Sequence, residues 1–144
     1  MRRTAIVTLS ALLAACSSSP PKTAIKAIEV VAASNANQNT ATALDIVFAY
    51  DTVSAGLLPK TGPDWFDKKA ALVSGLAKGI DVVSVQLPPA MTVEVPLPKN
   101  HAKAIGVYSY ANYLEAAGQP TANLTPFKRV TIRLNPDNIV YIGE

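Results

Sequence analysis

Four proline-bearing breaks cut up the second half of the chain: Pro88-Pro89, Pro98-Lys99-Asn100, Gly118-Gln119-Pro120 and Asn135-Pro136-Asp137-Asn138. No long helix survives such punctuation, because proline lacks an amide hydrogen and its ring clashes with the preceding turn. The stretches between the breaks are short and rich in β-branched and aromatic residues: 80–87, 92–97, 104–111, 127–134 and 139–142. Two similar runs precede them, 25–33 and 44–50, the latter reading Leu-Asp-Ile-Val-Phe-Ala-Tyr. The pattern predicts seven strands.

The period changes once. Over residues 63–78, Trp65, Leu72 and Leu76 recur at helical spacing, with Phe66, Ala70, Val73 and Ala77 on an adjacent stripe. Thr61 or Asp64 is placed to cap the first amides, Asp64 and Asp67 complement the positive end of the helix dipole, and Gly79 is placed to close the C-terminus. Trp65-Phe66 is expected to pack on a sheet rather than anchor a partner. Seven strands with one helix predict a mainly β fold, a two-sheet β-sandwich with one inserted amphipathic helix, in preference to a parallel α/β fold.

The N-terminus carries a different signal. Arg2 and Arg3 precede an apolar run over residues 5–15, too short to span a bilayer, and the run ends Leu13-Ala14-Ala15-Cys16. This leader resembles the lipobox of bacterial lipoproteins, which implies acylation of the Cys16 thiol, cleavage of the bond before it, and Cys16 as the first residue of the mature chain. Cys16 is the only cysteine, so no disulfide forms within one chain. Two or more acyl chains anchor a protein stably without a membrane span. In the enteric form of this pathway aspartate after the cysteine retains the protein at the inner membrane; Ser17 here favours the outer membrane.

Residues 1–15 are thus expected to be a signal peptide, 16–22 a lipidated tether stiffened by Pro20 and Pro21, and 23–144 a single β-sandwich domain. Removing 15 residues from 144 leaves 129, enough for one core. The 13 basic side chains, less Arg2 and Arg3, leave 11 against 10 acidic ones, which withdraws the main support for nucleic-acid binding.

Chemistry-bearing residues are sparse. There is one histidine, His101, in a polar stretch between Lys99 and Lys103, where it reads as a solvated loop residue. Neither a metal site nor thiol catalysis is expected. Ser84 and Asp81 have no Gly-x-Ser-x-Gly elbow or Ser-x-x-Lys element around them, and Gly62, Gly75, Gly79 and Gly106 lack phosphate-loop spacing. No catalytic residue, and no cofactor beyond the covalent lipid, is expected. Tyr108, Tyr110 and Tyr113 lie close together as a conceivable ligand platform, or as amphipathic tyrosines at a sandwich edge.

The order of elements resembles the TssJ-type outer-membrane lipoproteins of type VI secretion. The matching parts are the lipobox and tether, the Asn-rich segment 35–42, the strand ending at Tyr50, the helix 64–79, Val82 leading to Pro88-Pro89, and the later runs Val95-Pro96-Leu97, Ala104-Ile105-Gly106-Val107-Tyr108, Val130-Thr131-Ile132-Arg133-Leu134 and Asn138-Ile139-Val140. The family's usual Val-Tyr-Gln-Leu run appears as Phe48-Ala49-Tyr50-Asp51, without the glutamine. The resemblance implies a transthyretin-like β-sandwich, lipid-anchored at the periplasmic face of the outer membrane, that docks the periplasmic domain of the large inner-membrane secretion subunit. It assigns partner binding to Asn35, Ala36, Asn37, Gln38, Asn39 and Thr40. From the residues themselves, this segment is either a surface of amide donors and acceptors suited to docking or a polar connector. The alternative function is a periplasmic ligand-binding or envelope-assembly lipoprotein.

Overall fold

The computed structural model describes residue 16 and residues 18–144. The leader and Ser17, on which the signal-peptide and membrane-sorting expectations rest, lie outside the described residues. Eight strands form two four-stranded sheets. Sheet A has the order β4 (Thr92–Glu94), β1 (Ala27–Ala32), β7 (Arg129–Leu134), β8 (Ile139–Gly143), and sheet B the order β3 (Ile80–Leu87), β2 (Thr42–Ala49), β5 (Gly106–Ala111), β6 (Ala122–Asn123). All neighbours are antiparallel except β1 and β7, which run parallel from Ala27 opposite Arg129 to Ala32 opposite Leu134. The fold is the expected two-sheet sandwich, and the seven anticipated strands are present.

Inward-facing Ile28, Val30, Leu44, Ile46, Phe48, Val107, Val130, Ile132 and Leu134 interlock between the sheets to form the main core. β2 is different because its other face is buried too. Val47 and Ala49 meet Leu58, Trp65, Ile80 and Tyr110 in a second cluster beneath the helices, which explains why this strand reads as an almost unbroken apolar run.

Those helices depart from the expectation of a single one. Besides α3 (Gly62–Gly75) there is α2 (Thr52–Leu57); the segment called α1 (Ala36–Asn39) is a single turn outside right-handed helical geometry, within the expected loop. α2 is too short to show a period, yet it begins with a good cap: Asp51 accepts hydrogen bonds from the Ser54 amide and hydroxyl at 2.7 and 2.8 Å. Thr61 caps α3 as anticipated, accepting from the Asp64 amide at 3.3 Å. Gly79 does not close the helix, which ends at Leu76. It lets the chain pass over α2 instead, since a Cβ there would collide with the Ser54 hydroxyl. The stripe of Ala70, Val73 and Ala77 faces solvent; only Gly62 and Trp65 of α3 are fully buried. Gly62 brings the helix start against β5, where any side chain would strike the Ala111 carbonyl.

The Trp65 ring stacks on Tyr110 with centroids 4.8 Å apart and planes 18° from parallel. Its indole N–H donates to the carboxylate of Asp45 at 2.8 Å, and Lys69, one turn along, reaches the same carboxylate at 2.8 Å and Ser84 at 3.0 Å. Asp45 is buried on β2. It latches the helix to the sheet, with its charge paired and both contacts converging on Oδ2.

Candidate docking surface

The strands give the sandwich two ends. β1 leaves Lys26 at the end where the tether enters and delivers α1 at the other; β2 starts beside α1 and returns to Tyr50. Eight residues of β2 separate the two by about 25 Å.

At the far end α1 is wound left-handed. Asn37, Gln38 and Asn39 have φ of 47, 55 and 61°, a conformation that asparagine tolerates and glutamine seldom visits. The neighbouring loops hold it there. The Asn37 side chain donates to the Asn112 carbonyl at 3.0 Å and accepts from the Leu114 amide at 2.9 Å. The Asn37 amide donates to Asn135 O, and the Gln38 amide to Pro136 O, at 3.1 and 3.2 Å. Thr40 closes the turn by donating its hydroxyl to Asn37 O at 2.6 Å, and the Gln38 side chain reaches the Asp137 carboxylate. Tyr113 donates to Asn135 O and Gln119 to Tyr113 O, so three loops, 33–41, 112–118 and 135–138, form one rigid surface.

The six residues assigned to docking therefore divide. Ala36 and Asn37 are buried, and Asn37 spends its amide group on the loop beneath; Asn35, Gln38, Asn39 and Thr40 are exposed. Ala36 and Asn37 are thereby withdrawn from the surface. The physical cause is that an asparagine held left-handed above a backbone strip can satisfy two peptide groups at once. Beside them Leu114 is 60% exposed, an apolar side chain that sequence reasoning did not single out. None of the three loops contains a lysine or arginine; Glu115 and Asp137 are their charges.

Two of the three tyrosines come together, Tyr108 and Tyr110 lining one open groove, and Tyr113 lies apart from them. Tyr110 lies in the cluster under the helices and donates to Pro59 O at 2.8 Å, whereas Tyr113 belongs to the main core. Burial raises the pKa of each hydroxyl to about 12. Tyr108, part-exposed, borders an open groove with Lys60 and Asn123. His101 is not a free loop residue: it opens a single 3₁₀ turn, and its Nδ1 lies 2.8 Å from Pro98 O. Among the described residues no three His, Cys, Asp or Glu side chains come together as a metal site, and no helix is long and apolar enough to cross a membrane. Cys16 is exposed.

A two-sheet sandwich with one polar, pre-shaped end is the class that this geometry defines. Among solved structures, the T6SS lipoprotein TssJ1 from Pseudomonas aeruginosa superposes with a TM-score of 0.58 at 15% identity, over 82% of this chain and 94% of that one. The Lip protein of Serratia marcescens, a membrane-bound component of the type VI secretion system, gives 0.53 at 9% identity, over 82% and 96%. A chain in the structure of the T6SS protein TssM C-terminal domain from EAEC gives 0.52 at 18% identity, over 81% and 98%. The fold is that of the TssJ-type lipoproteins. No family model matches the chain, and no curated protein matches its sequence.

Proposed function

We propose that this protein is a lipid-anchored docking component of a type VI secretion trans-envelope complex, without catalytic activity or a cofactor other than the acyl chains on Cys16. It is held at the periplasmic face of the outer membrane, and binds the periplasmic domain of the large inner-membrane subunit through Asn35, Gln38, Asn39 and Thr40. The observation that carries this reading is the strained turn at the end opposite the tether. Three consecutive left-handed residues cost folding energy, and such strain persists where the surroundings impose it, characteristically at binding surfaces. The turn is rigid before any partner arrives, so little ordering entropy is lost on binding, and its exposed amides pair without the cost of burying charge. The likeness of the fold to the T6SS lipoproteins supports the same reading.

The test is purification from gently solubilised native membranes, with partners identified by mass spectrometry. The wild-type protein is expected to bring down a large inner-membrane secretion subunit, and the Gln38→Ala/Asn39→Ala variant to lose it at an unchanged thermal midpoint. A protein recovered alone, or a variant that retains the subunit, overturns the proposal. Asn37→Ala loses the partner as well, but with a lowered midpoint, since two buried hydrogen bonds go with it.

A further inference from the structure

The tether end differs in charge from the docking end. The chain enters the domain at Thr23, whose amide donates to Ala104 O at 2.8 Å, and the Lys26 amide donates to Lys128 O beside it. Before that entry Ser19, Pro20 and Lys22 border an open groove with Tyr50, Thr52 and Lys103. A second groove shares Tyr50 and Lys103 and adds Lys78 and Asn100. Lys22, Lys26, Lys78, Lys99, Lys103 and Lys128 thus gather at this end, all exposed. Among the described residues none of them forms an ion pair; the one ion pair there is Lys69 with Asp45. Of the carboxylates nearby, Asp51 caps α2 and Asp81 accepts from the Tyr50 hydroxyl at 2.6 Å, while Glu144, whose carbonyl accepts from the Lys128 amide, stands exposed. Beside the first groove α2 exposes Val53 and Leu57 to 70% and 57%, one helical turn apart on the same face.

We infer that this end is a second membrane contact, in which the lysines bind the phosphates of anionic phospholipids and Val53 and Leu57 enter the headgroup interface. The inference rests on the proposal that Cys16 carries the anchor, which determines what the end faces. From Cys16 to Thr23 the chain reaches about 25 Å at full extension, so acyl chains in a bilayer keep the lysines within a short distance of its surface. Tethering raises their effective concentration there, and individually weak lysine–phosphate attractions then orient the domain. The acidic docking end, with Glu115 and Asp137, points away from a negatively charged surface in the same orientation. Lipid and fold together set which way the strained turn faces.

The lysine face is tested apart from the anchor with the leaderless chain carrying Cys16→Ala, whose core is complete within the described residues. Cosedimentation is measured with vesicles of phosphatidylethanolamine and phosphatidylglycerol, and with phosphatidylcholine alone. Binding is expected to the anionic vesicles only, to fall with added salt, and to weaken about a hundredfold in the Lys22→Gln/Lys78→Gln/Lys103→Gln variant. Val53→Asp/Leu57→Asp is expected to weaken it without changing the salt dependence. No binding, equal binding to both vesicles, or indifference to the lysine substitutions overturns the inference. Failure of the anchor is read separately, as a native chain whose mass shows no acyl group.

Discussion

The two sheets have the same pleat and the same number of strands, but their outer faces have opposite fates. Sheet B is roofed by α2 and α3, so that β2 is buried on both sides. Among the described residues nothing covers sheet A: Glu29, Arg129, Arg133, Val140 and Ile142 stand exposed, and Glu29 lies directly opposite Glu94 in a groove that Arg129 also lines. The difference teaches that burial here is decided by what lies over a strand rather than by the strand itself. It shows in the burial of β7, which alternates along its length, whereas β2 is apolar throughout but for Thr42 and Asp45. That one carboxylate is where the roof is fastened.

The contrast breaks most sharply at Trp65. Trp65→Ala is expected to destabilise the fold by about 3–5 kcal/mol, measured by urea unfolding, whereas Val140→Ala or Ile142→Ala on the bare face should cost well under about 1 kcal/mol. Equal costs would mean that the roof contributes no more than an open surface. Asp45→Ala comes next, at about 2–3 kcal/mol, because it strands the buried indole N–H and leaves Lys69 without its partner. If Lys69→Met proves as costly as Asp45→Ala, the ion pair, not the indole hydrogen bond, holds the helix.

Tyr110 sharpens the comparison through pH. Burial raises its hydroxyl from 10.0 to about 12, so the folded state favours the neutral form; its contribution is complete below pH 10.0 and is lost as pH rises toward about 12. Tyr110→Phe should lessen the fall of the thermal midpoint over that window, the remainder belonging to Tyr113, while costing about 1 kcal/mol at neutral pH for the lost bond to Pro59. A wild-type midpoint that stays level up to pH 12 would contradict this. The smallest effect belongs to the bare face, where Glu94→Lys converts a cross-strand repulsion with Glu29 into an attraction and should stabilise by about 0.5 kcal/mol.

Most of the sandwich was legible because apolar runs and proline breaks report strands directly; each of the seven expected runs contains one. β6 was not, since two residues, Ala122 and Asn123, carry no pattern and are a strand only by pairing with Tyr108 and Ser109. α2 was missed for the same reason of length, although Asp51 three residues before Ser54 was a readable cap. The polar, asparagine-rich loop was legible, but its left-handed winding was not, because Asn37 is held by the Asn112 carbonyl and the Leu114 amide, more than seventy residues downstream. Family likeness pointed to the segment; only long-range hydrogen bonds separate its buried members from its exposed ones.

The parallel pairing of β1 with β7 sets the timing of biogenesis. The first strand to be made sits in the middle of sheet A, and Thr23 is tied to Thr125, 102 residues later. A chain threaded across a membrane from its N-terminus cannot complete sheet A until nearly all of it has emerged, since β1 pairs at six positions with β7 and at only three with β4. If the N-terminus is already held by lipid, the emerging chain is an unfolded polymer fixed at one end, with the apolar faces of β1 and β2 uncovered. Loss of the last two strands would then leave β1 without its longer partner, an unfolded chain rather than a merely shortened one.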